Sequence, residues 1–271
     1  MKKYSTTIVF FLFCHFYFSQ LLFDQGAIST SICGANVTQT DLWSINNNIG
    51  GLAHIENMAL GVSINNRFLI SDYSTGTLTF AAPINNSAIG VNYSNFGNEN
   101  YSVHSSGVGY SMQLGKNISA GIKMNYLFID LGENYGSKSI FSGDIGLNSK
   151  LSSELSMGVI VKNPTLSKVA EFEDERIPTL IQIGLDYAVS EQLNTIISFE
   201  KDILYAPSVR AAIIYSPIEN ISLRGGVGTN PTTFGFGIGS NIKKLTIDIG
   251  SQYHQILGFS PEISITTNLY K

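Results

Sequence analysis

Beyond residue 57 the chain repeats one unit, a run of alternating apolar and polar positions followed by a turn. Strand side chains alternate between two faces, so apolar residues at every second place mark one face of a β-strand. Leu60, Val62 and Ile64 stand against Gly61, Ser63 and Asn65, and Ile181, Ile183, Leu185 and Tyr187 against Gln182, Gly184 and Asp186. Near the end, Leu245, Ile247 and Ile249 oppose Thr246, Asp248 and Gly250, and Ile263, Ile265 and Leu269 oppose Ser264, Thr266 and Asn268. These runs predict strands at 57–69, 75–83, 86–96, 102–114, 117–131, 138–151 and 153–162, then at 178–189, 192–201, 206–216, 219–228, 233–241, 244–254 and 259–270. About fourteen antiparallel strands, an even number, fit a single-chain transmembrane β-barrel with both ends on one side.

The connections sort into two kinds. Every second one is tight: Pro83 to Asn86, Leu114 to Asn117, Lys150 to Glu154, Val189 to Gln192, Ser216 to Asn220 and Asn241 to Lys244. The others are longer, the largest running from Lys162 to Pro178 with Glu171, Glu173, Asp174, Glu175 and Arg176. Short turns at the periplasmic end and longer loops at the outer end are the habit of outer-membrane barrels.

Composition narrows the class. Hydrophobic residues make up 44% of the 271 positions and charged residues 13%, about half the charged share of soluble domains. No stretch after the N-terminus approaches the roughly 18 apolar residues of a spanning helix. Two classes remain, a β-barrel in lipid and a secreted soluble β-rich binding protein. The low total charge and the alternating turn lengths favour the barrel, and charge placement, which a soluble sheet would share, is consistent with it. A charge facing lipid at mid-membrane costs about 2–4 kcal/mol, and the face opposite the aliphatic one carries Arg67, Lys123, Asp144, Lys162, Asp186, Glu200, Arg210, Arg224 and Asp248. Asp130 and Lys201 break the parity at strand ends, while Tyr93, Tyr110, Tyr126, Tyr187, Tyr215 and Tyr253 fall on the outward face as an aromatic girdle requires. Asp186, Glu200, Arg210 and Arg224 lie on successive strands with Asp248 two strands on, so opposite charges at similar height can pair between neighbouring strands, as a network that fills the barrel and holds the plug or as a polar constriction that selects what passes.

The first residues read as an export signal occupying 1–20. Lys2 and Lys3 precede an apolar core from Ile8 to Phe18, too short to span a bilayer, with cleavage expected near Ser19 or Gln20. Cys14 lies in that core without the small residues of a lipoprotein signal, which leaves Cys33 as the one mature cysteine and allows no internal disulfide. Residues 21–56 break the alternation and predict a small helix-and-loop segment ahead of the barrel at 57–271, with Asp41 as a helix N-cap and Trp43 the only tryptophan. Such a segment can fold inside a barrel as a plug.

Its residues also resemble a known family. Gly34-Ala35-Asn36-Val37, Asp41-Leu42-Trp43 and Asn47-Asn48-Ile49-Gly50-Gly51-Leu52-Ala53 resemble the N-terminal hatch of PorV/PorQ-like outer-membrane proteins of Bacteroidetes, within the FadL-type superfamily of hydrophobic-compound transporters. Ile49 and Gly50 stand where that pattern has proline and alanine. The resemblance covers about twenty residues and implies a fourteen-strand barrel, with Asp41, Trp43, Asn47, Asn48, Gly51 and Leu52 as plug residues. It implies two settings: a channel or carrier for a small hydrophobic ligand, and an accessory to type IX secretion or cell-surface attachment with secretion-system proteins as partners.

Other chemistry finds little support. His54, His104 and His254 lack metal-ligand spacing, no nucleophile elbow is present, and no basic patch points to nucleic acid at a net charge of −4. Gly225-Gly226-Val227-Gly228 and Gly235-Phe236-Gly237-Ile238-Gly239 read as glycines relieving crowding on one strand face. No enzyme activity, cofactor or metal is expected, and outer-membrane lipid is the expected surrounding.

Overall fold

The computed structural model describes residues 25–132, 136–169 and 176–269. The signal segment and Glu171, Glu173, Asp174 and Glu175 of the longest connection lie outside them. Fourteen strands form one closed antiparallel barrel in which each strand pairs with its sequence neighbours and the first pairs with the last. They are β1 (Ala59–Asn66), β2 (Ser74–Ile84), β3 (Ser87–Gly97), β4 (Ser102–Gln113), β5 (Ile118–Asp130), β6 (Ser137–Lys150) and β7 (Leu155–Lys162). There follow β8 (Leu180–Ser190), β9 (Leu193–Asp202), β10 (Ser208–Ile218), β11 (Ile221–Gly228), β12 (Thr233–Ile242), β13 (Leu245–His254) and β14 (Gly258–Asn268). Closure leaves no unpaired strand edge, the one way a sheet satisfies its backbone in lipid. Among the described residues no helix is long and apolar enough to cross a membrane.

Burial alternates along the strands as the pattern predicts, β3 and β8 being the cleanest cases. Val62, Ile64, Ile122, Met124, Ile145, Ile197, Ile213 and Ile249 face outward and are exposed, which in water would be an untenable apolar surface. The tight turns β2–β3, β4–β5, β6–β7, β8–β9, β10–β11 and β12–β13 gather at the end where β1 begins and β14 finishes, and the longer loops gather at the other.

Most boundaries fall within two residues of expectation, and the largest difference is in the first strand. The first strand ends at Asn66 rather than 69, because Phe68 and Leu69 take left-handed backbone angles (φ 58 and 57) that no ladder accommodates. Arg67 therefore sits in a short 3-10 turn, Arg67–Leu69, at the loop end, and is not one of the wall charges lining mid-barrel.

Candidate functional site

Inside the ring lies the segment 25–55, built from α1 (Ala27–Ser31), α2 (Ser44–Asn47) and a 3-10 turn (Ile49–His54). Its side chains are almost all buried, Trp43, Ile45, Ile49 and Leu52 being fully so. It touches the wall around most of the circumference. Leu42, Ile45, Ile49 and Leu52 pack on the small inward residues Ala59, Ala81 and Ala88 of β1, β2 and β3, while Ile32 and Ala35 pack on Ile196 and Ala212 of β9 and β10.

Glycines on the inner wall make that fit possible. A methyl group at Gly226 would come 2.6 Å from the carbonyl carbon of Ile32, one at Gly121 2.8 Å from the Ile49 carbonyl oxygen, and one at Gly90 2.7 Å from the Ile45 side chain. Gly226, Gly235 and Gly237 of the glycine-rich stretches thus face α1 and its C-terminal turn. Their role is close approach of plug to wall.

Polar anchors fix the segment in place. The buried Glu262 carboxylate of β14 accepts from the Gly26 N–H at 3.0 Å, from the Thr30 hydroxyl, and from Asn65 Nδ2 of β1 at 3.2 Å. It therefore ties the start of α1 to the seam where the barrel closes. The Gly34 carbonyl accepts from Gln182 Nε2 at 2.7 Å and Arg210 Nη1 at 2.9 Å, and the Gly50 carbonyl from Ser111 and Ser119 at 3.2 and 2.7 Å. Asn47 and Gln25 exchange two hydrogen bonds of 3.0 Å, amide to backbone. Asn48 donates to the carbonyls of Val37 and Leu147 at 2.6 and 3.0 Å, and its own oxygen accepts from Gly50 N–H. A buried side chain must satisfy both ends of its amide, which explains asparagines where a core would otherwise want apolar groups. Gly51 lies against the Gln39 carbonyl with no room for a side chain, and Trp43 fills the space between Gly26 and Gly61.

The wall charges resolve into separate contacts. Arg210 pairs with Glu200 at 2.6 Å on adjacent strands. Arg224 of β11 reaches Asp248 of β13 at 2.6 Å, passing over Gly239 of the strand between, where a methyl group would come within 2.5 Å of the guanidinium. Lys123, Asp144 and Lys162 sit abreast on β5, β6 and β7. Lys123 Nζ donates to Asn46 Oδ1 of the plug at 3.0 Å, and Asp144 accepts from Asn125 Nδ2 at 2.8 Å and from the Asn163 N–H at 3.2 Å. Asp186, expected to pair with an opposite charge on a neighbouring strand, instead accepts from Asn194 Nδ2 at 2.9 Å near the short-turn end, because its neighbour at that height on β9 is the apolar Ile196.

Asp41 also corrects an expectation. The helix begins at Ser44 with Trp43 in the capping place and no side-chain cap. The Asp41 carboxyl faces the backbone N–H groups of Trp43 and Ser44 one turn earlier, and its buried Oδ1 has no hydrogen-bond partner. Burial first, then the nearby Asp248 carboxylate, raise its pKa to about 6 against the opposing pull of those N–H groups and Arg224. Burial likewise raises the Cys33 thiol, the reverse of what a nucleophile needs. Glu262 was legible in parity, opposite Ile263 on the same strand, yet the sequence reading passed over it.

Above the plug, towards the loop end, the inner wall changes character. Phe96 of β3, Val103 of β4, Leu127 and Ile129 of β5 and Ile140 of β6 point inward and enclose Ile177 from the β7–β8 connection, with Val169 beside them. Asn163 organises the base of that connection, donating to the Ile177 carbonyl at 3.0 Å and to Thr179 Oγ1 at 3.1 Å. Among the described residues no cluster of three or more His, Cys, Asp or Glu could hold a metal ion.

No protein-family model matches the sequence, and no curated protein matches it. Solved structures do match the fold. The P. putida toluene transporter TodX superposes with a TM-score of 0.70 at 13% identity, covering 92% of this chain and 100% of its own. The Ralstonia pickettii toluene transporter TbuX gives 0.70 at 9% identity, over 93% of this chain and 100% of its own. A Pseudomonas aeruginosa FadL homologue gives 0.61 at 12% identity, over 90% and 98%. The likeness is one of fold: a closed fourteen-strand barrel of the FadL type.

Proposed function

We propose that the protein is an outer-membrane transport barrel of FadL-like type, whose lumen is stoppered by residues 25–55 and whose cargo is a small hydrophobic compound. The observation that carries the cargo class is the inward-facing apolar cluster of Phe96, Val103, Leu127, Ile129 and Ile140 beneath the loop-end connection. A water-filled porin lines its interior with polar groups. An apolar patch on the β3–β6 side of the inner wall, filled here by Ile177, instead favours partition of a hydrophobic solute out of water once that residue is displaced. The toluene transporters that share the fold support the same reading.

The hatch-like residues Asp41 to Ala53 support a PorV/PorQ-like relationship, and with it a second reading as an accessory in type IX secretion or surface attachment. The completeness of plug packing favours it, since a barrel acting as a platform has no need to open. Uptake of radiolabelled toluene by cells with and without the gene separates the two. The transport reading expects uptake to fall on gene loss, and to fall likewise in Leu127→Asp, which places a charge in the apolar cluster. Unchanged uptake together with impaired type IX export would overturn it in favour of the accessory role.

A further inference from the structure

Between the plug and the apolar patch, the inner wall carries a row of polar residues. Cross-strand pairing sets Thr79 of β2, Asn92 of β3, Gly107 of β4, Asn125 of β5 and Ser142 of β6 side by side. The next inward row on the turn side holds Gly90 and Gly109, against which Ile45, Leu52 and Ile49 of the plug pack. The next inward row on the loop side holds Leu127 and Ile140, part of the patch that Ile177 fills. Along β5 the sequence is therefore apolar patch at Leu127, polar row at Asn125 and plug contact at Lys123.

This row is buried yet incompletely paired. Thr79, Asn92 and Ser142 are 0%, 8% and 4% exposed, and Thr79 Oγ1, Asn92 Oδ1 and Ser142 Oγ have no hydrogen-bond partner among the described residues. The plug adds Asn46, 7% exposed, whose Nδ2 is likewise unpartnered. Lys123 brings Asn46 and Asn92 together. Its Nζ donates to Asn46 Oδ1 at 3.0 Å, and its Cε and Asn92 Oδ1 both lie against the point that a methyl group on Gly107 would occupy. Ser142 is three strands from Asn92, too far to share one small partner with it. The pair that one ligand group can serve is Asn92 and Asn46.

The chemistry of that pair selects its partner. A buried polar group left unmatched costs free energy. Asn92 Oδ1 only accepts and Asn46 Nδ2 only donates, so the matching group must do both. A hydrocarbon offers neither function, and an ionised carboxylate has no proton to give Asn92. A hydroxyl offers both. Water serves such groups too, so an incoming hydroxyl replaces it bond for bond, whereas a hydrocarbon does not.

We propose that the cargo class is an apolar compound carrying one hydroxyl group, a phenol or an alcohol. Its apolar body takes the place of Ile177 against Leu127 and Ile140, and its hydroxyl donates to Asn92 Oδ1 and accepts from Asn46 Nδ2. This rests on the reading of the barrel as a route for a hydrophobic solute and names the class of that solute. Because Asn46 belongs to the plug, the hydroxyl is also where the cargo touches it.

The test is equilibrium dialysis of the purified protein in detergent against radiolabelled p-cresol and toluene, which differ by one hydroxyl. Partition into detergent or into any unspecific apolar pocket favours toluene, the less polar of the two, so it works against the expected result. In the unaltered protein and more strongly in Ile177→Ala, which vacates the patch, p-cresol is expected to bind several-fold tighter than toluene. Asn92→Leu, of similar shape, is expected to bring p-cresol down to the level of toluene. Equal binding of the two by Ile177→Ala, or binding of neither, would overturn the proposal, and that comparison stands without the Asn92 variant. A fall of both solutes by the same factor in Asn92→Leu would make Asn92 structural and overturn it as well. Gene-dependent uptake of toluene without any preference for p-cresol would overturn the hydroxyl class and leave the transport reading standing. The binding preference with uptake of both solutes independent of the gene would support the site and overturn the transport reading.

Discussion

At the scale of single residues, the interior is held by side chains that have left water and depend on each other. Asp41 is the most exposed to pH. Its carboxyl is raised from 3.8 to about 6 by burial and by Asp248, so the seated plug holds a proton that the released segment gives up. A raised carboxylate contributes its stability below the unfolded value and loses it as pH rises through the folded one. Plug seating should therefore weaken between about pH 4 and pH 6, and the frequency of channel openings in planar bilayers should rise over that range. Asp41→Asn should flatten the profile at the low-pH level; an unaltered profile would assign the titration elsewhere. The Arg224–Asp248 contact makes a second, separate demand. Asp248 is only 1% exposed, so Arg224→Ala strands a buried carboxylate at a cost of about 3–5 kcal/mol. Unfolding in lipid vesicles measures it, and a negligible change would mean that water reaches this part of the lumen.

At the scale of elements, strands and plug differ in how plainly the sequence announces them. Alternation such as Ile181-Gln182-Ile183-Gly184-Leu185 names a strand and its two faces at once, because lipid on one side and polar contacts on the other leave each position a single solution. Ile213, outward on β10, tests this directly: Ile213→Arg should cost about 2–4 kcal/mol of stability in lipid, and a harmless substitution would reverse the facing. The plug has no period to read. Its position is set by pieces far apart in sequence, Gly226 accepting Ile32, Gly121 accepting Ile49 and Glu262 holding Gly26 and Thr30. Pairing of Arg224 with Asp248 was open to expectation as opposite charges at one height, but its passage over Gly239 was not, since a glycine carries no sign of what crosses it. Arg67 and Asp41 were misplaced for a local reason, backbone turns that polarity patterns do not encode. Glu262→Gln, which keeps one acceptor but turns the other towards the Thr30 hydroxyl and Asn65 as a donor, should loosen α1 by about 1.5–3 kcal/mol. Faster proteolysis of the plug in intact, heat-modifiable barrels would register that loss.

At the scale of the whole molecule, the interior of the barrel is filled by the plug along much of its axis and by Ile177 at one side of the loop end. The plug reaches from Ser111 and Ser119 near the short turns to Thr77, Arg210 and Glu262 nearer the loops; the Arg210–Glu200 pair lies towards the loop end, the Arg224–Asp248 pair towards the short turns, and Ile177 fills an apolar patch on β3–β6. A solute entering from the loop side has to displace Ile177 from the apolar patch that it fills and then meets the packed plug, so passage requires both to yield. The central claim is that residues 25–55 are what closes the lumen, and deletion of Gln25 to Ala53 followed by planar-bilayer recording tests it most directly. The intact protein should be closed to ions for most of the recording and the deletion variant should conduct steadily. A folded deletion variant with the same conductance as the intact protein would contradict the account.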